Sequence, residues 1–177
     1  MTQGLNPALD DVKFCPRCAS EATIRYPRSI TCPTCGYGAF YNPKPVACAI
    51  TTNQDNEILL LKRGFQPNRG KWSMPGGFVD LGESVEDAAI RETKEEMNLE
   101  INLTNLVGVY SRRTERIVVV VYAARTEGTP TRTEEALEVQ GFRPTTIPWA
   151  ELAFWSDDRA LRDYLDLTAA TAAANSS

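Results

Sequence analysis

The chain has 177 residues, a formal net charge of −4 and 42% apolar residues. That length allows one medium-sized domain plus a small appendage, with enough chain to bury a hydrophobic core. The acidic balance argues against a general nucleic-acid binder or an anionic-membrane binder. No apolar run approaches the roughly 18 residues of a membrane span. The sequence contains no histidine, so every histidine-based triad, acid–base pair or metal site is excluded.

Residues 1–12 have neither the basic start nor the apolar core of a signal peptide. We therefore expect a disordered leader there and a cytoplasmic protein. Residues 168–177 are small and polar, and we expect them to form a disordered tail.

Two C-x2-C pairs follow the leader, separated by thirteen residues: Cys15, Cys18, Cys32 and Cys35. Each pair can supply two thiolates from one tight turn, which predicts a structural zinc ribbon over residues 13–40. A hairpin of residues 22–26 against 29–31 fits between the pairs. Disulfides and a redox motif are the alternatives, but no export signal favours the disulfides. The fifth cysteine, Cys48, lies in an apolar run and reads as a core residue.

The rest of the chain reads as a main domain over residues 45–167, after a proline-containing linker at 37–45. Hydrophobic patterning predicts strands and helices in an α+β order. The predicted strands cover residues 46–52, 58–61, 72–74, 101–112, 116–125 and 138–143. One predicted helix begins at residue 85, and two others cover residues 148–152 and 157–167.

The most informative stretch is 76–99, where a glycine turn and a short loop lead into a helix. Ser84 is a good N-cap residue, and Asp87 follows three positions later. The stripe of the helix that begins apolar continues with three carboxylates: Glu92, Glu95 and Glu96. A solvated acidic face is one interpretation of this charge run. Carboxylates three and four positions apart on a rigid helix are also what a hard divalent cation requires.

This stretch resembles the Nudix box of the nucleoside-diphosphate-X hydrolases. The resemblance rests on six residues at the spacings of that box: Gly77, Glu83, Arg91, Glu92, Glu95 and Glu96. Asn98 and Thr93 stand where the family usually has glycine and an aliphatic residue. Asn tolerates left-handed backbone angles, so Asn98 can still end the helix. The resemblance covers roughly residues 45–165 and implies an α/β/α sandwich with a mixed sheet.

The resemblance implies a Mg²⁺- or Mn²⁺-dependent pyrophosphatase that cleaves the diphosphate bridge of a small nucleotide substrate. The proposed metal ligands are Glu92, Glu95 and Glu96, with the backbone carbonyl of Gly77 added by resemblance. Arg91 can pair with Glu95, four positions away, and hold that carboxylate, although a surface ion pair is equally open. Glu83 is expected to contact the metal-binding residues without binding the ion itself.

A general base must come from outside the helix if all three glutamates bind metal. Glu135 and Glu138 lie in or beside the loop before the last predicted strand, and they are the candidates for a base or an extra ligand. Arg63 lies at a strand end and is a candidate phosphate contact. Solvent-exposed roles remain open for all three residues.

The sequence resembles the ADP-ribose, FAD and NADH pyrophosphatases of the family, and cleavage would give AMP plus the other phosphate. Two other functions stay open. One is a Nudix-like nucleic-acid-binding or regulatory module that uses the zinc ribbon, and the other is an RNA-cap hydrolase. The intact box glutamates and the few basic residues of the ribbon argue against both. The sequence predicts no membrane partner and leaves a homodimer open.

Overall fold

The computed structural model describes residues 5–174, which divide into two units. The N-terminal unit comprises the described residues up to Lys44 together with Ser111–Ile117. The main unit comprises Pro45–Tyr110 and the described residues from Val118 onward. In the part of the chain described, no helix is both long enough and apolar enough to cross a membrane.

The N-terminal unit contains a three-stranded antiparallel sheet in the order β1 (Thr23–Arg25), β2 (Ser29–Thr31) and β3 (Gly38–Phe40). The predicted hairpin is therefore confirmed. The third strand lies where the sequence predicted only a linker. Its Gly-Ala-Phe sequence has no strand signal of its own, and pairing with β2 determines its conformation.

Residues 5–12 contradict the predicted disordered leader. Leu9 is buried, and Asn6 donates its backbone N–H to the Tyr26 hydroxyl at 3.0 Å and its side-chain amide to the Pro27 carbonyl at 2.8 Å. These contacts offset the entropy lost when the segment is ordered. Residues 1–4 of the predicted leader lie outside the described residues.

The main unit is built on a mixed seven-stranded sheet whose central path runs β10-β5-β4-β9-β8. Two short strands join it, β6 on β5 and β7 on β4. The strands are β4 (Lys44–Thr52), β5 (Ile58–Arg63), β6 (Trp72–Ser73), β7 (Gly76–Phe78), β8 (Asn102–Tyr110), β9 (Ile117–Arg125) and β10 (Ala136–Phe142). The sequence predicted all of these strands except β7, with boundaries within a few residues.

Helix α1 (Val85–Met97) packs its apolar side on one face of this sheet. Met97 meets Ala49 and Leu59 in one cluster, and Ala88 meets Ala47 in a second. The residues that alternate with these along the strands, such as Ile50 and Leu60, are also fully buried. Both faces of the sheet are thus covered, as the predicted sandwich requires.

Helix α2 (Trp155–Ala174) follows two short 3₁₀ turns, Pro144–Thr146 and Trp149–Glu151. The second turn replaces the predicted helix over residues 148–152. The helix also corrects the predicted tail, because it continues through residues 168–174. Alanine is the best helix former, and the Thr168 and Thr171 hydroxyls bond back to carbonyls of the same helix. Residues 175–177 lie outside the described chain.

Both ends of α1 carry the caps that the sequence predicts. Ser84 accepts a hydrogen bond from the Asp87 backbone N–H at 3.1 Å, and its hydroxyl donates to the Asp87 carboxylate at 2.7 Å. Asn98 adopts the left-handed conformation with φ of 51° and donates its N–H to the Lys94 carbonyl. The caps fix where the helix begins and ends, and therefore which side chains face the glycine turn.

We expect Ser84→Ala to lower the free energy of unfolding by about 1 kcal/mol, because the Asp87 N–H loses its acceptor. Ser84→Thr keeps the hydroxyl and should retain most of the stability. Equilibrium urea denaturation of the three proteins measures the difference. Equal stability of the alanine and threonine variants would contradict the capping role.

Candidate active site and cysteine cluster

A close backbone approach at Gly76 and Gly77 builds the floor of the candidate site. Strand β7 pairs with β4, so that Gly77 lies opposite Ala47 and Gly76 opposite Cys48. A Cβ at position 76 would collide with the Cys48 sulfur and the Ala47 carbonyl. A Cβ at position 77 would overlap the carboxylate of Glu92. Position 76 therefore requires glycine, because the clash is with backbone, whereas a side chain at position 77 would displace the Glu92 carboxylate.

Arg91 is the centre of the charged network. Its Nε and Nη2 donate to the two carboxylate oxygens of Glu83 at 2.8 and 2.9 Å. Its Nη1 donates to Glu92 at 2.7 Å and to Glu95 at 3.0 Å. Nη2 also donates to the Phe78 carbonyl at 3.0 Å. The sequence predicted only the pair with Glu95, since neighbouring helix positions do not normally face each other and the loop geometry of Glu83 was unknown.

Glu83 ties the loop before α1 to this network. The paired Arg91 guanidinium and the Asp80 backbone N–H lower the pKa of the Glu83 carboxyl to about 2. The group is therefore ionised at neutral and mildly acidic pH. Its bidentate pair with arginine is the geometry that fixes orientation as well as charge.

Glu92 and Glu96 are the buried carboxylates of the site. Glu96 is 8% exposed and accepts the Gly76 N–H at 2.8 Å. Burial, together with the nearby negative charges of Glu92 and Glu135, raises the pKa of Glu96 to about 8. Burial is also the main reason why the pKa of Glu92 is raised. Glu95 differs, because half of its side chain is exposed beside Arg91.

Glu135 lies close enough to the helix carboxylates to influence them, since its charge raises the pKa of both Glu92 and Glu96. Its position is fixed through Thr133, whose hydroxyl donates to the Glu96 carbonyl at 3.0 Å and accepts the Glu135 N–H at 3.2 Å. On its other side, the Glu135 carbonyl accepts the Gly64 N–H at 2.9 Å. The structure thus brings this predicted residue to the site.

The structure places the other two candidates differently. Glu138 forms an ion pair with Lys62 at 3.3 Å, and the Lys62 ammonium lies 5.3 Å from the centre of the Trp72 ring. Arg63 donates to the Pro67 carbonyl at 2.9 Å and stacks 4.9 Å above the Phe154 ring. The Arg63 charge still lowers the pKa of Glu96, so that the guanidinium is close enough to influence this carboxylate.

Asp157 is a buried carboxylate that the sequence analysis missed. It is 2% exposed, accepts the Phe154 N–H at 3.0 Å and accepts the Ser73 hydroxyl at 3.3 Å. Burial raises the pKa of Asp157 to about 7. An acidic residue three positions after a helix N-cap was the available signal, because it marks half of a capping box. Its burial against β6 was not readable from that pattern.

The helix glutamates supply the oxygen ligands that a hard cation requires, but their carboxylates do not converge on one point. In residues 5–174, only the four cysteines place three or more metal-ligating atoms within 4.8 Å of one another. Glu96 is directed to the Gly76 amide, whereas Glu92 and Glu95 are held by Arg91. The donor set therefore fits Mg²⁺ or Mn²⁺ by type, and the carboxylates would have to converge to hold an ion.

Residues 42–165 match the family described as the NUDIX domain, which accounts for more than half of the chain. The chain belongs to the Nudix family. Its mixed sheet with two helices has the Nudix fold, which confirms the predicted fold class. The curated relatives are hydrolases and pyrophosphatases, and this chain is a Nudix hydrolase.

Two relatives and one solved structure show how far the similarity extends. The ADP-ribose pyrophosphatase of Methanocaldococcus jannaschii is 37% identical over 117 residues, which cover 63% of this chain and 68% of that protein. The NAD-capped RNA hydrolase NudC of Pseudomonas aeruginosa is 31% identical over 97 residues, which cover 54% of this chain but only 34% of that protein. The crystal structure of a NUDIX hydrolase from Nitrosomonas europaea has 33% identity and a TM-score of 0.78, and the match covers 88% of this chain and 91% of that chain.

The N-terminal unit of this Nudix hydrolase gathers the four cysteines of the two C-x2-C pairs. The sulfurs of Cys15 and Cys35, and those of Cys18 and Cys32, are 3.6 Å apart. Tetrahedral zinc with Zn–S distances of about 2.3 Å requires sulfurs about 3.8 Å apart. The thiols are free rather than joined in disulfides. Hydrogen bonds from Ser20 lower the pKa of the Cys18 thiol to about 6, whereas burial and the neighbouring cysteines raise the pKa of Cys35 to about 12.

We expect one zinc ion per chain in purified protein, measured by inductively coupled plasma mass spectrometry, because the sulfur positions match its tetrahedron. Cys32→Ser should lower the zinc content to well below one ion per chain, whereas Cys48→Ser, at the buried fifth cysteine, should keep it near one. Removing the zinc should unfold residues 13–37, since so short a segment has almost no core. Zinc-free protein with an unchanged ribbon would contradict this.

We expect the stabilising contribution of Glu83 to depend on pH. Its pKa is lowered on folding, so that the contribution is complete above the ordinary value of 4.5 and is lost as the pH falls towards about 2. The difference in unfolding free energy between the wild type and Glu83→Gln should therefore shrink between pH 6 and pH 3. In an Arg91→Gln background the same substitution should have little effect at any pH. A pH-independent difference would contradict the pairing.

Proposed function

We propose that the protein is a Mg²⁺- or Mn²⁺-dependent pyrophosphatase that hydrolyses the diphosphate bridge of a nucleoside diphosphate linked to a second group. The observation that supports it best is the grouping of four carboxylates beside the Gly76–Gly77 turn: Glu92, Glu95 and Glu96 of α1, and Glu135 before β10. A diphosphate is itself anionic, so that a purely acidic site would repel it. A divalent cation held by these carboxylates would remove that conflict.

The residues that would hold the cation are Glu92, Glu95 and Glu96, with the backbone carbonyl of Gly77. When bound, Mg²⁺ or Mn²⁺ neutralises phosphate oxygens and lowers the pKa of a coordinated water. Burial already raises the pKa of Glu96 to about 8, so that a cation is needed to keep this carboxylate ionised at neutral pH. Arg91 orients Glu92 and Glu95, because its planar guanidinium donates a hydrogen bond to each carboxylate.

Glu135 is the proposed general base. It is exposed, it lies on a different element from the three helix glutamates, and its charge raises the pKa of Glu92 and Glu96. An exposed carboxylate in that position can accept a proton from a water that attacks phosphorus. Attack there breaks the P–O–P bridge, because a phosphate monoester leaves far more readily than a sugar alkoxide.

The free thiols of the chain also fit a cytoplasmic location.

ADP-ribose is the substrate that we propose first, because the Methanocaldococcus relative named for that activity matches over 68% of its length. The products would be AMP and ribose 5-phosphate. FAD and NADH contain the same AMP diphosphate half and belong to the same substrate class. An RNA cap is the second candidate, supported by the similarity to NudC, although the chain spans only about a third of that relative.

We expect Glu135→Gln to lower kcat by about 10²- to 10⁴-fold, the usual contribution of a positioned acid or base. Glu138→Gln is the matched control, three residues further on, and should keep most of the activity because Glu138 pairs with Lys62. Steady-state kinetics on the best substrate measures both. Equal losses in the two variants would contradict the assignment.

A panel of ADP-ribose, FAD, NADH, NAD-capped RNA and dinucleoside polyphosphates, each with Mg²⁺ or Mn²⁺, tests the function itself. We expect the fastest turnover with ADP-ribose, no reaction with excess chelator, and almost none with Glu96→Gln. In ¹⁸O-labelled water the label should appear in a phosphate monoester product. Release of free adenine, or of inorganic phosphate without a phosphatase, would show that another bond is cleaved.

A further inference from the structure

The charges of the chain are divided unequally between the two units. The N-terminal unit has eight lysines and arginines against four aspartates and glutamates, a formal charge of +4, whereas the main unit has eleven against nineteen, a formal charge of −8. Four thiolates around one Zn²⁺ would still leave the N-terminal unit at +2. The net charge of −4 for the whole chain is the sum of two units of opposite sign. The argument from whole-chain charge against an anionic polymer therefore does not apply to the N-terminal unit.

One face of the three-stranded sheet presents an exposed aromatic ring beside an arginine. The strand register places Arg25, Ser29 and Phe40 in one row across β1, β2 and β3. Phe40 is 76% exposed, and Arg25 is exposed as well, whereas Ser29 between them is buried. The next residue pair of the register, Ile30 and Ala39, points to the opposite face of the sheet. An aromatic ring exposed to this extent contributes little to folding.

Further arginines belong to the same unit as this row. Arg28 holds the chain after β3, because its carbonyl accepts the Tyr41 N–H at 2.7 Å. The β8–β9 loop adds arginines to the same unit, and the Arg116 carbonyl accepts the Lys44 N–H at 2.9 Å. Lys44 is the fourth residue after Phe40, so that the backbone of this attachment point lies at most about 14 Å from that of Phe40. Among the described residues, Arg25, Arg28 and Arg116 have no ion pair to an acidic side chain.

We propose that this surface, formed by Arg25, Arg28, Phe40, Tyr41 and the arginines of the β8–β9 loop, binds single-stranded nucleic acid. The arginines would contact phosphates, and Phe40 would stack on a base. Stacking requires an unpaired base, which favours a single strand over a duplex. This inference goes beyond the proposed hydrolysis, because it concerns a different unit and needs neither catalysis nor a particular nucleotide end.

Fluorescence anisotropy tests the proposal, with the full chain and a labelled single-stranded oligonucleotide of about 12 nucleotides, once as RNA and once as DNA. We expect Phe40→Ala to weaken binding roughly 5- to 100-fold, the usual effect of losing one stacked base. Arg25→Gln with Arg28→Gln should reduce the slope of log Kd against log salt by about 1.4, because each lost phosphate contact accounts for about 0.7. Stronger binding of RNA than DNA would indicate contacts to the 2′-hydroxyl.

The controls use exposed residues of the main unit. Phe65→Ala removes a phenylalanine that is also exposed, and Arg125→Gln with Arg143→Gln removes two exposed arginines. Both should bind the oligonucleotide like the wild type. Zinc content and circular dichroism of the Phe40 and arginine variants should match the wild type, which separates lost binding from lost folding.

Three results would overturn the proposal. The first is no binding of the wild type at 50 mM salt, and the second is an equal loss in the control variants. The third is binding to phosphatidylserine vesicles without binding to the oligonucleotide, which would assign the surface to an anionic membrane instead. Failure of the ADP-ribose assay leaves this result untouched, because the anisotropy experiment involves no hydrolysis.

Discussion

The arrangement of the candidate site depends on one arginine. Three carboxylates on neighbouring turns of α1 repel each other, and without a cation they would weaken the helix that carries them. Arg91 supplies a positive charge to Glu92 and Glu95 on the helix, to Glu83 in the preceding loop and to the Phe78 carbonyl of β7. A strand end, a loop and a helix are thereby fixed to one planar group. A lysine could supply the charge but not the five directed N–H bonds.

The glycine turn imposes the complementary steric constraint. The Glu92 carboxylate occupies the space that a side chain at position 77 would fill, and Gly76 passes directly over Cys48 and Ala47 of β4. The helix can therefore approach the sheet edge closely enough for Glu96 to accept the Gly76 amide at 2.8 Å. The same closeness buries Glu96 and raises its pKa to about 8. An acidic group in such surroundings destabilises the apo protein at neutral pH unless a proton or a cation neutralises it, which is typical of functional rather than structural positions.

The parts of the protein that were predictable from sequence are those encoded by local chemistry. Ser84 and Asn98 mark the ends of α1 through capping preferences, and the apolar runs identify the long strands. The parts that were missed depend on tertiary contacts. Strand β3 exists because β2 pairs with it, and residues 5–12 are ordered because Leu9 is buried. The alanine-rich end of α2 was missed for a different reason: its helix propensity alone was enough to predict a helix there.

The site residues follow the same division. Spacing alone identified the helix glutamates and the pair of Arg91 with Glu95, because three- and four-residue separations define one helix face. Spacing could not separate Glu135 from Glu138, which lie three residues apart. Only the structure shows that one affects the buried carboxylates, whereas the other pairs with Lys62. Asp157 was missed because burial of a carboxylate contradicts its usual surface preference, and no local pattern reports such an exception.

The absence of histidine gives the two candidate metal sites distinct chemistry. Imidazole binds zinc, copper, iron and nickel, and a chain that contains it can hold the wrong ion in either kind of site. Here the four-cysteine cluster offers thiolates, which select a soft or borderline ion, and the Nudix helix offers carboxylate oxygens, which suit a hard one. A structural ion in a closed cage of sulfurs and an exchangeable ion among carboxylates can then coexist in one chain. The division of metal chemistry parallels the division of charge, with a basic unit around the thiolates and an acidic unit around the carboxylates.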